Sequence, residues 1–142
     1  MRVCSHKGYV IVVFTRDEHC PPHVHVGTSK WDARFLFSFW HNGVKLWDVT
    51  PSKNEPCIRV LEELRQVIRS RANLRKARGC WWRSRNTLCL ENMGWDQQFE
   101  EVVATLGHQP QIRRILKSTY DTFTSKTQLY LAGYVEPLEI EL

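Results

Sequence analysis

The side chains best suited to chemistry sit together in residues 14–26, F-T-R-D-E-H-C-P-P-H-V-H-V, where His19, His23 and His25 stand beside Asp17 and Cys20. His23 and His25, two apart in an extended segment, share one face, with Val24 and Val26 on the other. A tight Pro21-Pro22 loop brings His19 within reach of them. Three imidazoles around one ion, backed by acidic partners and with one position open, would activate water, so a metal-dependent hydrolase or nuclease centred on His19, His23 and His25 is one reading. The spacing matches no closed zinc site, and paired thiolates are absent. Prolines shaping a turn, with imidazoles donating to carbonyls at a sheet edge, account for the same residues without a cofactor, so no tightly bound metal is expected. Cys20 beside two histidines suggests a nucleophile, but neighbours on a turn rarely face each other, and a free cysteine is commonly a small apolar residue.

A second concentration lies further on. Residues 59–85 hold nine bases against two acids. Arg65, Arg69 and Lys76 fall near one helical stripe, and Arg71, Arg75 and Arg78 form a neighbouring one. Trp81, Trp82, Arg83 and Arg85 follow. Guanidinium groups suit phosphate and exposed tryptophans stack on unpaired bases, so the segment is expected to bind a polyanion, either nucleic acid or an acidic protein surface. The plain alternative is a solvated helix face with its tryptophans in the core. Like charges this dense repel unless a polyanion relieves them, which favours binding.

A third pattern is Gly107-His108-Gln109 between two stretches of helical periodicity, the length of a helix-turn-helix connection, with Gln111, Arg113, Arg114 and Lys117 on the second. His108 stands where that motif has an apolar residue, and the following stripe is one position out of register. An antiparallel αα-hairpin covering a sheet is the preferred reading. No Gly-rich phosphate loop and no G-x-S-x-G occurs.

These groups need elements to position them. Residues 9–14 are continuously apolar and β-branched, as in a buried strand. From Trp31 to Trp40 the odd positions form an apolar stripe, and Asn42-Gly43 suits a two-residue turn that would set Phe39 opposite Leu46 and Ser38 opposite Trp47. After a loop over 51–56, Ile58, Leu61, Leu64 and Ile68 recur at helical spacing, predicting one long helix over about 57–77 that closes near Gly79. Residues 80–93 fit no element clearly. Further helices are predicted at about 95–106, on Trp95, Phe99, Val102, Val103 and Leu106, and at 110–123, on Ile112, Ile115, Leu116, Thr119, Tyr120 and Phe123. The chain closes in strand-like alternation at Leu138, Ile140 and Leu142.

The 142 residues are 42% hydrophobic and 11% aromatic, enough to bury a core, which excludes wholesale disorder and collagen-like sequence. The longest unbroken apolar run, residues 9–14, is too short to span a bilayer, so no membrane partner is expected. Charge follows where an exported chain would carry a cleavage site, and cysteines 4, 20, 57, 80 and 89 are odd in number without C-x-x-C spacing. Both features predict reduced thiols in a cytoplasmic protein. The net charge of +5 is segregated: residues 1–50 sum to +2, residues 51–85 to +7 and residues 86–142 to −4.

The loop Glu18-His19-Cys20-Pro21-Pro22-His23-Val24-His25-Val26 resembles the D-H-x-P-P-H-F-H-V signature of the bacterial domain-of-unknown-function family forty-one sixty. The stretch Leu74…Ala77-Arg78…Trp81-Trp82 resembles that family's Leu-rich helix closing on a tryptophan, so the resemblance covers about residues 8–82. It implies a small α+β domain associated with toxin–antitoxin-like pairs and mobile elements, and no established activity. The combined expectation is an α+β chain: a small antiparallel sheet packed by a long basic helix over residues 1–85, then an 86–142 extension of a helical hairpin and a terminal strand. Its expected role is a non-enzymatic module of a mobile-element or toxin–antitoxin-like system contacting nucleic acid through residues 65–85. An inhibitor or interaction module docking on a larger nucleoprotein complex is a further alternative.

Overall fold

The computed structural model describes residues 1–142 except Thr105, Leu106 and His108. It is α+β, with two antiparallel five-stranded sheets and two helices. The first sheet is a meander of β1 (Arg2–His6), β2 (Tyr9–Val12), β3 (His23–Gly27), β4 (Asp32–Leu36) and β5 (Lys45–Thr50), neighbours in sequence being neighbours in the sheet. The β1–β2 turn is Lys7-Gly8, with both φ angles positive (49° and 84°), the twist-matched geometry of a tight hairpin. Ile11, Val24, Val26, Ala33, Phe35 and Val49 are buried on this sheet.

The β4–β5 connection differs from the predicted two-residue turn. Phe35, not Phe39, pairs with Leu46, and a register shift separates that pair from Arg34–Asp48. Residues 37–44 form a longer loop that carries Phe37 and Phe39 into the core, and Ser38 Oγ accepts the His41 backbone N–H at 3.2 Å within it. The odd-position stripe is therefore buried as expected, although its second half is not strand.

The predicted long helix is two helices. In α1 (Ile58–Arg69), Leu61, Leu64 and Ile68 face the core. Ser70, with ψ at 145°, breaks the helix and then caps α2 (Arg71–Arg85), its side chain accepting from the Asn73 backbone N–H. Helix α2 packs against β1, and α1 against β5. Asn86, left-handed at φ 53°, ends α2. Among the described residues no helix is long and apolar enough to cross a membrane.

The helical hairpin is overturned. Its residues form β6 (Gly94–Asp96), β7 (Glu101–Val103) and β8 (Ile112–Asp121), which join β9 (Lys126–Leu131) and the expected terminal strand β10 (Leu138–Glu141) in the order β10-β9-β8-β6-β7. The end of the first predicted helix and His108 of the proposed connection lie outside the described residues. The helix-like spacing of β8 has a strand explanation. Ile115 and Tyr120, five apart, would face opposite ways in a regular strand, but a register shift between Ile115 and Lys117 adds a residue. Both then meet the buried side of β9, Ile115 opposite Leu131 and Tyr120 opposite Thr127. In the other segment, Asp96 Oδ1 accepts the backbone N–H groups of Gln98 (2.9 Å) and Phe99 (3.1 Å), turning the chain where a helix would continue. Phe99, placed on the predicted apolar stripe, is 66% exposed.

The second sheet packs on the first layer. Thr127 Oγ1 donates to the Phe39 carbonyl at 2.6 Å, and the Phe39 and Tyr120 rings lie 5.2 Å apart. Cys20 and Cys89, 69 residues apart, form a disulfide, which corrects the expectation that all five thiols are reduced; Cys4, Cys57 and Cys80 are free. The bond also removes Cys20 as a nucleophile.

Candidate functional site

The basic segment divides by which way each base points. Arg78 is 1% exposed: its Nε donates to the Ser38 carbonyl at 2.8 Å, and its Nη2 donates to the His41 carbonyl and Asn42 Oδ1, both at 3.0 Å. Burial pushes its pKa down to about 10, still protonated at neutral pH. Arg78 therefore ties α2 to the 37–44 loop and is unavailable to a partner. Trp81, also 1% exposed, packs against His23 (5.4 Å between ring centroids) and Phe37 (6.3 Å), so it cannot stack on a base. The spacing accounts for both, since Arg78 and Trp81 continue the buried stripe of Leu74 and Ala77.

Arg65 is engaged otherwise. Its Nε and Nη2 contact Glu62 at 2.8 and 2.7 Å, and its Nη1 donates to the Val44 carbonyl at 3.2 Å. The same guanidinium, with Gln66, pulls the Glu62 carboxyl down to about 2. Glu63, the other acid of α1, is taken by Lys7 at 2.6 Å and His6 at 2.8 Å, the lysine first holding its pKa below the ordinary range. Arg75 Nε donates to the Leu142 carbonyl at 2.7 Å. Trp82 is half-buried beside Leu90 and Ile115. Arg85 is half-buried, with Nε and Nη2 enclosed. Arg59, Arg69, Arg71, Lys76 and Arg83 are exposed and, among the described residues, have no carboxylate within 4.0 Å. Lys76 and Arg2 both act on the Cys4 thiol, whose pKa burial raises and these two cations oppose, so α2 and β1 contribute to one positive region.

The histidine face takes a different form from the predicted trio. Alternation in β3 does place His23 and His25 together, with ring centroids 5.0 Å apart. His19 is exposed and outside the group, and its neighbour Glu18 takes the third place. Glu18 Oε1 lies 2.8 Å from His25 Nε2, and Oε2 is against His23 Nε2. His23 Nδ1 meets the Pro21 carbonyl at 2.8 Å, and His25 Nδ1 meets Asp32 Oδ2 at 2.9 Å. One ligand atom from each of Glu18, His23 and His25 lies within 4.8 Å of the others, so these residues could hold a metal ion.

The surroundings are aromatic. Phe14 lies 4.1 Å from the His25 ring, and Trp47 meets His23 edge-on at 5.2 Å. In register with His25 across β4 and β5, Arg34 and Asp48 form a two-pronged pair, the Arg34 Nε–Asp48 Oδ1 bond being 2.8 Å. That bond depresses the Asp48 pKa and raises that of Arg34, whose guanidinium lies 4.0 Å from the Trp47 ring centre. Sequence reasoning passed over Glu18 and Asp32. A signal for Asp32 existed, because even positions 32 and 34 face away from the apolar odd stripe, toward the histidines. No family model, no curated protein and no solved structure matches the chain.

Proposed function

We propose that the chain is a non-enzymatic binding module that contacts nucleic acid through the outward bases of its two helices, chiefly Arg69, Arg71, Lys76 and Arg83, with Arg59 and Arg2 beside them. One observation carries the reading. Both acids of α1 are neutralised, Glu62 by Arg65 and Glu63 by Lys7, while these bases remain exposed and unpaired among the described residues. Such an array is relieved when phosphates replace its mobile counterions. Arg78 and Trp81 leave the expected footprint, and Arg65 and Arg75 are secondary to it. The resemblance of residues 18–26 to the family forty-one sixty signature supports a place in a mobile-element or toxin–antitoxin-like system. A cytoplasmic location rests on the nucleic-acid partner alone, since the Cys20–Cys89 disulfide removes the argument from reduced thiols.

The test is a titration of labelled single- and double-stranded oligonucleotides at several salt concentrations. The expected result is binding at low salt whose logarithmic affinity falls linearly with log salt, by about 0.7 to 0.9 per phosphate contacted. Absence of binding to either form at low salt overturns the nucleic-acid reading and leaves an acidic protein surface as the partner for the same bases.

A further inference from the structure

We propose that Glu18, His23 and His25 form a binding site for a divalent first-row transition ion, with zinc the best fit. The argument begins with the outer ring nitrogens. The Pro21 carbonyl can only accept, so His23 Nδ1 carries a hydrogen toward it at 2.8 Å. The Asp32 carboxylate likewise takes the His25 Nδ1–H at 2.9 Å. In neutral rings both Nε2 atoms then present lone pairs, and both are directed at Glu18, whose carboxylate also only accepts. Three acceptors thus converge where His23 is 1% exposed and the Glu18 side chain 9%. A cation among them turns this repulsion into coordination.

The alternative, a proton on each Nε2, would make hydrogen bonds to both carboxylate oxygens. His25 has such a contact, but His23 Nε2 is buried against Glu18 without the alignment of a hydrogen bond. An N–H on His25 Nε2 accounts for its own contact with Glu18; the unaligned, buried His23 Nε2 is the atom that a shared cation accounts for, with the other two ligand atoms within 4.8 Å. The supports are those of a metal histidine: one Nδ1–H to a carbonyl and the other to a carboxylate, fixing tautomer and ring orientation. Two imidazole nitrogens and one carboxylate oxygen suit zinc and its first-row neighbours better than calcium or magnesium, and three protein ligands leave a position for water. The ligands lie on β3 and the loop before it and include none of the outward bases, so failure of either reading leaves the other standing.

The test uses the full chain stripped with a chelator and titrated with Zn²⁺, followed by calorimetry and elemental analysis. One equivalent is expected to remain after buffer exchange and to raise the unfolding temperature. Glu18→Gln and His25→Ala should each abolish retention of that equivalent. Asp32→Asn, which loosens His25 without removing a ligand, should weaken affinity 10- to 100-fold, while His19→Ala should leave it unchanged. Glu18→Gln replaces a carboxylate by an amide of the same shape, and circular dichroism on each variant keeps loss of fold distinct from loss of metal. No retained zinc in the wild type overturns the proposal. Retention undiminished in folded Glu18→Gln and His25→Ala does so too.

Discussion

The basic helices and the histidine strand were both conspicuous as clusters of one residue type, yet folding treats them differently. In β3, period-two alternation sends His23 and His25 to one face whatever surrounds them, and the pair survives intact. In α2, bases occupy so many positions that the buried stripe must include one, and Arg78 goes inward with Leu74, Ala77 and Trp81. Charge density therefore marks a segment, whereas a binding surface consists only of the charges that packing leaves outside. The same packing that removes Arg78 from the polyanion surface gives it three backbone and side-chain acceptors to hold.

The largest expected effect concerns the loop that carries Glu18. The Cys20–Cys89 bond ties it to the segment after α2 across 69 residues, a closure that constrains the unfolded chain by about 4 kcal/mol. Cys20→Ser combined with Cys89→Ser should lower unfolding free energy by that order in a denaturant titration. Wild-type stability in the double variant would show that packing alone positions the histidine face.

Next in size is the contrast within α2. Arg78→Ala leaves the Ser38 and His41 carbonyls and Asn42 Oδ1 without their donor and should cost about 3 kcal/mol, whereas Arg71→Ala should stay within about 0.5 kcal/mol. Equal effects at the two positions would erase the division between inward and outward bases.

A smaller effect is expected beside the histidines. The Arg34 bond holds the Asp48 pKa below its ordinary 3.8, so the folded state releases this proton more readily than the unfolded one. The resulting stabilisation is fully present above about pH 4 and is lost as pH falls through the depressed value. Because the pair is about one-third exposed, it contributes less than about 1 kcal/mol. Stability measured against pH for Asp48→Asn should show a shallower decline below pH 4 than wild type, and an unchanged decline would count against the pair.

What was legible follows from how local each signal is. The strands β2, β3 and β4, the α1 stripe of Leu61, Leu64 and Ile68, and the terminal strand depend on short-range periodicity, and all were readable. Ser70 was a recognisable cap, hidden because no proline or glycine interrupts residues 58–78. The second sheet was misread because the extra residue at Ile115–Lys117 changes strand parity into something close to helical spacing. Its Thr119, Tyr120 and Thr127 were a β-favouring signal that periodicity outweighed. The Cys20–Cys89 pairing and the entry of Glu18 in place of His19 depend on contacts made only after the chain folds, and no local pattern encodes them.

The central claim, that the outward bases and not the whole basic segment meet nucleic acid, is tested most directly by one comparison of salt dependence. The variant carrying Arg69→Gln, Arg71→Gln, Lys76→Gln and Arg83→Gln should fold as wild type does, because all four side chains are exposed. If each contacts a phosphate, the slope of log affinity against log salt should become shallower by about 3. A slope unchanged from wild type in the folded variant would contradict the account.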